Sequence, residues 1–485
     1  MMLMTFYISR IALDLLGEEV YGLVSIVTGV VILSAFFTTV LESAAQRFIS
    51  QSLALNNDIK STISTFIGLN IIIAIIITLI VYIAGSYYIE NNLIQSVVDV
   101  NVVHTVLIYA LMTFLINMLC SPIMAVFIAH EKLGVYSLFS FVEVMIKLVL
   151  LKFIIIDFNQ SVIYYSQVLF TSVIVSRLIA IIIAKLMFNQ LSIIPVLDKK
   201  KVKTIVSYIS WNVFGTLAAV ANNQGMSILI NVFFSLSISA SRAIANQLNS
   251  AIIQVVNSVQ IAINPQIFKS YVKNDFDYLN MLIDINGRVV VYLTTVVVIT
   301  CFGNVHKLLE LWLGEYPDYL IDFILLMLVD VYIVAQTSAL VSVVQASGNI
   351  RLYQLVVGGT MLVNIPLCYL ILDTEKEPLV IYIVPLVISL ICMFQRLLFV
   401  LRLRAVSIER YIKSVIIRGL AILLLLIFIK NSYVNYYPNN SLYIDISFSV
   451  VVTTLMWLLF GLKHYELKHA IVFFEKIKTK FYKDK

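Results

Sequence analysis

The chain has 485 residues, of which 61% are hydrophobic and only 12% are charged, and its formal net charge is +6. A soluble domain carries about 25% charged residues, so this composition, with a mean hydropathy of +0.98, excludes a soluble globular protein. We therefore predict an all-α polytopic membrane protein that does not bind nucleic acid, because its lysines and arginines serve to anchor the topology.

Fourteen apolar segments follow one another along the chain, and a membrane span needs about 20 mostly apolar residues. The first is short for a full crossing, so it is either tilted or preceded by further residues in the natural protein, and no basic region or cleavage motif makes it a signal peptide. The spans are predicted near 1–16, 20–40, 62–84, 102–128, 135–156, 162–184, 206–232, 238–263, 280–302, 318–345, 352–372, 378–400, 412–430 and 442–462.

The connections between these spans are strongly asymmetric in charge. Those on the side of both termini carry 23 lysines and arginines and the opposite ones carry four, and basic loops stay in the cytoplasm. Both termini are therefore predicted to be cytoplasmic. Two basic segments suggest five parts: an N-terminal six-helix lobe (1–196), a basic linker (197–205), a C-terminal six-helix lobe (206–401), an extra helix pair (402–462) and a basic tail (463–485).

Sequence signatures of catalysis are missing. The chain has no phosphate-binding Walker loop, no G-x-S-x-G elbow and no HExxH helix. The four cysteines have no paired spacing, and the five histidines form no ligand set. We predict a protein that is not an enzyme and needs no cofactor or metal.

A polar stripe runs along the eighth predicted span. At 100° per residue its members fall within an arc of about 80°, and Asn223 belongs to a polar face of the preceding span. One interpretation is a water-filled, substrate-binding cavity; the other is hydrogen bonding between helices, at about 0.6 kcal/mol per contact. An arginine fork suits a phosphate or carboxylate and favours the cavity. The stripe consists of Arg242, Asn246, Asn249, Asn257, Gln260 and Asn264.

Other charged residues also fall inside predicted spans. Arg10, Arg177, Arg288 and Lys147 are further candidates for binding an anionic substrate, although Arg177 and Arg288 are close enough to span ends to reach the interface. Asp330 and Glu143 are candidate ion-coupling carboxylates. In the alternative interpretation Asp330 pairs with a nearby arginine, and Glu143 is neutralised by Lys147 at i,i+4.

Five segments resemble the polysaccharide-biosynthesis branch of the multidrug/oligosaccharidyl-lipid/polysaccharide (MOP) exporter superfamily, most closely the flippases for O-antigen and capsule repeat units. They are "SRIALDLLGEEVYGL" (9–23), "SAAQRFIS" (43–50), "NNQGMSILINVFF" (222–234), "SASRAIANQ" (239–247) and "AINPQIFKSY" (262–271). The residues that match the motifs are Arg10, Gly17, Tyr21, Gly22, Arg47, Gly225, Asn231, Arg242 and Pro265.

The resemblance implies a two-lobed bundle with a central cationic cavity and alternating access. It implies a substrate, an undecaprenyl-pyrophosphate-linked oligosaccharide of lipopolysaccharide or capsule biosynthesis, moved from the cytoplasmic to the periplasmic leaflet of the bacterial inner membrane. It also suggests coupling to an ion gradient, contact with membrane lipid, and a polysaccharide polymerase and chain-length regulator as partners. The alternative is an ion-coupled multidrug or metabolite antiporter of the same superfamily, and a scaffold without transport activity fits the polar stripe least well.

Overall fold

The computed structural model describes residue 8 and residues 18–55, 58–92, 100–151, 158–188, 194–196, 198–234, 236–314, 316–437 and 441–461. Within these ranges the regular elements are helices, which we number in chain order. They are α1 Glu18–Ala54, α2 Ile59–Asn92, α3 Val100–Ala129, α4 Leu133–Leu151, α5 Phe158–Met187, α6 Lys199–Phe233, α7 Leu236–Val272, α8 Phe276–Cys301, α9 Val305–Leu313, α10 Leu320–Ser347, α11 Arg351–Thr374, α12 Val380–Leu403, α13 Ile408–Tyr436 and α14 Leu442–Gly461.

Twelve of these helices, all except α1 and α9, are long and apolar enough to cross a membrane. The helix α1 has 37 residues and is also long enough for a crossing. This confirms the predicted all-α polytopic membrane protein, and a total of about fourteen spans is consistent with it. The first predicted span and the basic tail 463–485 lie outside the described residues, apart from residue 8.

The chain divides into two compact units, residues 1–216 and 217–485, and the boundary falls inside α6. The division into five parts, with a basic linker at 197–205, stays a prediction. In the first unit α3 packs against α1, α2 and α5, and its second half is almost entirely buried. The amide of Asn70 on α2 donates to the carbonyl of Met118 at 2.9 Å and to the hydroxyl of Ser121 at 2.8 Å. These bonds, which are strong in an apolar environment, fix the position of α3.

The second unit is built around α10, which packs against α7, α8 and α12. Its inner face carries Phe323, Met327 and Leu328, all at most 3% exposed. The hydroxyl of Ser342 donates to Asn264 on α7 at 2.6 Å. The buried hydroxyl of Tyr411 on α13 donates to the carbonyl of Gln336 at 2.8 Å. Side-chain bonds of this kind hold α7 and α13 to the central helix.

Three spans of this unit contain a π-helical turn, in which the hydrogen bonds reach one residue further than in an α-helix. These turns are Gln354–Gly358 in α11, Ile412–Ile417 in α13 and Trp457–Gly461 in α14. In α11 the helix also restarts at Asn364, just before Pro366, which lacks an N–H to continue the ladder.

The helix α9 was not predicted from the sequence. It has nine residues with Val305 and Leu309 buried and with Leu311 and Trp312 69% and 47% exposed. An amphipathic helix of this kind is typical of a membrane interface, where an aromatic ring contacts both lipid and water.

A charged cluster joins α9, α13 and α14. The Lys307 ammonium lies 3.1 Å from a carboxylate oxygen of Asp445, whose side chain is 4% exposed. The ammonium of Lys430, a residue only 1% exposed, donates to the Asp445 carbonyl at 3.3 Å and to the Ser449 hydroxyl at 2.9 Å. Asp445 thus contacts Lys307 through its carboxylate and Lys430 through its backbone carbonyl, and these contacts join the last two spans to α9.

Candidate substrate-binding sites

Arg242 lies near the start of α7 and is 5% exposed. Its Nε donates to the hydroxyl of Ser227 at 3.3 Å, and its Nη2 donates to the backbone carbonyl of Asn223 at 3.2 Å. The guanidinium carbon lies 5.6 Å from the centroid of the Tyr382 ring, within the range of a cation–π interaction. The predicted site residues Arg242 and Asn223 therefore meet, although through the backbone of Asn223.

The charge of Arg242 has no acidic counterpart in the part of the chain that the structure describes. All its polar contacts there are with neutral oxygens and an aromatic ring. A buried ion pair would leave the site neutral, whereas this arrangement leaves a permanent positive charge inside the second unit. Such a site is suited to an anionic ligand.

The amides of the α7 stripe differ in their surroundings. Asn246, Asn249 and Gln260 are partly buried, Asn257 is exposed, and a buried oxygen of Asn249 has no hydrogen-bond partner among the described residues. Asn264, at the end of the stripe, bonds Ser342 on α10. The stripe thus contains one interhelical bond and several amides with unused donors and acceptors, so both interpretations of it remain open and its role in binding stays a prediction.

In the first unit, a cavity of about 350 Å³ lies among α1, α3, α4 and α5. Arg177 on α5 reaches it, and its Nε donates to the side-chain oxygen of Asn117 at 3.0 Å. Glu143 on α4 accepts from Lys147 at 2.7 Å and lies 3.6 Å from Arg177. The structure thus brings three predicted site residues together, and the i,i+4 pairing of Glu143 with Lys147 is present as expected.

Glu42 is a candidate residue that the sequence analysis missed. It lines the same cavity from α1 and hydrogen-bonds Tyr136 on α4, and one of its carboxyl oxygens is buried without a partner in the part of the chain that the structure describes. The sequence predicts a span that ends near residue 40, before Glu42, whereas α1 continues to Ala54. Thr38 and Thr39 line the cavity together with Glu42. Because residues three and four positions apart share one face of a helix, this polar spacing is a signal in the sequence that could identify Glu42.

The predicted coupling carboxylate Asp330 lies on α10, and within the described ranges one of its oxygens is buried without a hydrogen-bond partner. It interacts electrostatically with Arg396 on α12, which is 8% exposed and donates to the Thr337 hydroxyl at 3.2 Å. No ion pair within 4 Å joins the two among the residues described. Arg396 is a second buried cation that the sequence analysis did not single out, and its presence leaves both interpretations of Asp330 open.

The predicted site residue Arg288 is 2% exposed, and its Nε donates to the carbonyl of Asp284 one turn earlier. The Asp284 carboxylate is bound by Arg410 at 2.8 Å and by the Ser414 hydroxyl at 3.0 Å. Arg288 therefore lies within a charged network that joins α8 to α13. The remaining predicted site residue, Arg10, lies outside the described residues, and so does the side chain of Asn231.

No protein-family model and no curated protein matches the sequence. Several solved structures are similar in fold. The Vibrio cholerae MATE transporter VcmN in its bent form has a TM-score of 0.68 at 14% identity, over 85% of this chain and 94% of that one. A MOP superfamily transporter from Pyrococcus furiosus, described as having a binding pocket of reverse polarity, has a TM-score of 0.68 at 10% identity, over 84% and 93%.

The eukaryotic MATE transporter AtDTX14 is similar in the same way, with a TM-score of 0.66 at 15% identity over 86% of this chain and 95% of that one. Identities this low show the fold alone. This chain is a multi-pass membrane protein with the fold of the MATE transporters of the MOP superfamily.

Proposed function

We propose that the protein is a flippase, which moves an undecaprenyl-pyrophosphate-linked oligosaccharide from the cytoplasmic to the periplasmic leaflet of a bacterial inner membrane by alternating access. The observation that carries this proposal is the buried charge of Arg242, which contacts only neutral oxygens and an aromatic ring among the described residues. A permanent positive charge within a membrane protein calls for a negative partner. An anionic substrate supplies that partner during transport.

The geometry of Arg242 favours a phosphate group. A guanidinium has five N–H donors in a planar fork, and two of them are used by Ser227 and Asn223. The remaining three can bind two phosphate oxygens side by side, which is the strongest form of this contact. The amides of Asn246 and Asn249 on the same helix suit sugar hydroxyls, since an amide both donates and accepts.

The Pyrococcus furiosus transporter of this fold is described as having a binding pocket of reverse polarity and a different function. A second candidate function is therefore an ion-coupled multidrug or metabolite antiporter. It is favoured by the unpartnered carboxyl oxygens of Glu42 and Asp330, since a carboxylate inside a membrane protein suits a proton or an organic cation. Arg242 and Arg396 argue against a cationic cargo in the second unit.

The deciding experiment measures both cargoes with the full chain in liposomes. Movement of a fluorescent undecaprenyl-pyrophosphate disaccharide between leaflets is followed with a membrane-impermeant quencher, and exchange of a fluorescent organic cation is followed under a proton gradient. Arg242→Gln is compared with Arg402→Gln, which removes the same charge from an exposed residue at the end of α12.

We expect the wild type and Arg402→Gln to move the lipid and Arg242→Gln to be about 10- to 100-fold slower, since one hydrogen bond to a charged group is worth about 1.5–3 kcal/mol. A wild type that exchanges the cation and leaves the lipid in place overturns the proposal in favour of the antiporter. Both cytoplasmic termini, the inner membrane, and a polymerase and chain-length regulator as partners are further expectations of the flippase function.

A further inference from the structure

Two cavities of different chemistry meet at Arg177 in the first unit. The polar cavity described above has a volume of about 350 Å³. A second cavity of about 360 Å³ lies among α2, α3 and α5, and Arg177 lines it as well. Arg177 therefore faces both a polar and an apolar compartment.

The second cavity, here called the isoleucine groove, is lined almost entirely by hydrocarbon. Besides Arg177 its lining is one cysteine and eight aliphatic side chains. The isoleucines that give it its name are Ile67, Ile71, Ile116, Ile123, Ile174 and Ile181. Such a surface binds a hydrocarbon chain by apolar contact, and in water it would be unfavourable to expose.

The polar cavity offers hydrogen-bonding groups beside the same cation. Thr113, Asn117, Ser121 and Ser140 line it. The guanidinium of Arg177 donates there to Asn117 at 3.0 Å and to the sulfur of Met124 at 3.7 Å, while its Nη2 lies 3.6 Å from Glu143. Because Glu143 is shared with Lys147 at 2.7 Å, the three residues together carry one positive charge, and Arg177 retains donors for a further oxygen ligand.

We propose that this junction binds the polyprenyl phosphate part of the lipid-linked substrate, with a phosphate at Arg177 and the first isoprene units in the isoleucine groove. The inference rests on the proposed flippase function and adds a second contact region, in the first unit, for the same cargo. A single chain attached to one phosphate matches one groove that begins at one cation. A phospholipid with two acyl chains would leave one chain without a groove.

Substitution of Glu42 tests whether the ligand of this site is an anion or a cation. Its carboxyl faces the same polar cavity, and a negative carboxylate beside a phosphate is unfavourable. The phosphate therefore binds with Glu42 protonated and hydrogen-bonded, and glutamine mimics that neutral state. A site for a cation would respond in the opposite way, because it needs the negative charge.

The test uses the full chain in nanodiscs with undecaprenyl phosphate that carries a photoreactive group on its first isoprene units. The labelled peptides are identified by mass spectrometry, and unlabelled undecaprenyl phosphate, a phosphatidylglycerol and inorganic phosphate compete in separate arms. The variants are Arg177→Gln, Glu42→Gln and Ile116→Trp, which fills the groove. Their matched controls are Lys185→Gln on an exposed part of α5 and Ile75→Trp on the exposed face of α2.

We expect labelling in α2, α3 and α5 that unlabelled undecaprenyl phosphate suppresses and phosphatidylglycerol and inorganic phosphate do not. Arg177→Gln weakens binding about 10-fold or more, in line with the loss of one hydrogen bond to a charged group. Ile116→Trp also abolishes labelling, Glu42→Gln labels as well as the wild type or better, and both controls behave as the wild type.

Equal competition by phosphatidylglycerol overturns the proposal in favour of a general lipid site, and competition by inorganic phosphate overturns the role of the groove. Loss of labelling in Glu42→Gln but not in Arg177→Gln would show that the ligand is a cation and refute the phosphate site. Because the assay reports binding and not translocation, an unlabelled groove in a protein that moves the lipid refutes this inference alone. A labelled groove in a protein that does not move the lipid refutes the flippase alone.

Discussion

Replacement of Asp445 by asparagine tests whether one carboxylate stabilises the last two spans. In the wild type this carboxylate lies 3.1 Å from the ammonium of Lys307, and it also acts electrostatically on Lys430, which donates to the backbone carbonyl of Asp445 at 3.3 Å. The side chain of Lys307 is 39% exposed and can turn to water, whereas Lys430 is 1% exposed and cannot. Asp445→Asn therefore leaves a buried ammonium without a countercharge.

The expected size of the effect follows from this difference in exposure. Removing one partner of a buried charge pair costs about 3–5 kcal/mol, and 1 kcal/mol lowers the melting temperature by about 2 °C in a domain of this size. Asp445→Asn is thus expected to melt about 6–10 °C lower. Lys307→Ala is expected to lose about 1 kcal/mol or less, because its ammonium is partly exposed and the Asp445 carboxylate keeps the positive charge of Lys430 beside it.

The chain supplies its own reporter for this measurement. Cys120, Cys368 and Cys392 are buried, so a maleimide dye that fluoresces on reaction with a thiol reports unfolding on heating. The double variant Asp445→Asn with Lys430→Met also removes the buried positive charge and is expected to regain most of the lost stability. A double variant that melts at or below the Asp445→Asn temperature would show that the carboxylate does not act through Lys430.

Three further predictions concern the second unit. Arg242→Lys keeps the charge and loses the two-pronged fork, so lipid transport is expected to fall about tenfold and to lie between the wild type and Arg242→Gln; a rate equal to the wild type would show that charge alone matters. Gly287→Ala brings a Cβ to 2.8 Å from the hydroxyl of the buried Tyr411. This overpacking is expected to lower the free energy of unfolding by about 1–3 kcal/mol, measured as a lower melting temperature with the thiol dye. An unchanged melting temperature would contradict the tight α8–α13 contact. Arg410→Ala removes the guanidinium that binds the Asp284 carboxylate at 2.8 Å, and the side chain of Asp284 is only 3% exposed. Melting about 6 °C or more lower is expected, and a shift below 1 °C would mean that the exposed end of the pair is dispensable.

The positions of the spans were predictable from sequence because hydropathy is a local property. Pairings within one helix were also predictable, as Glu143 and Lys147 show at 2.7 Å, because residues four apart share a face. Pairings between helices were not. Lys307 and Asp445 are separated by 138 positions and Arg410 and Asp284 by 126, and no periodicity indicates which helices lie side by side.

The candidate sites were only partly predictable for a related reason. Hydropathy detects the apolar centre of a helix, so the polar end of α1, where Glu42 lies on a helix that ends at Ala54, was assigned to a loop. The helix α9 was missed since its nine residues include His306, Lys307 and Glu310, and only half of its surface is apolar. The charge of Arg177 makes it a candidate from sequence alone, but its place between a polar and an apolar cavity depends on how α1, α2, α3, α4 and α5 pack together.

The π-helical turns in α11 and α13 are positions at which the chain can lose one residue without a change in the surrounding helix. Deleting a residue from an ordinary α-helix rotates everything beyond it by about 100° and shifts it by about 1.5 Å along the axis, which takes lipid-facing side chains into the core. A deletion inside Ile412–Ile417 instead closes a wide turn into a regular one, and both flanking segments keep their faces. The same holds for Gln354–Gly358 in α11, so a scan of single-residue deletions through α11 and α13 should find its tolerated positions at these two turns.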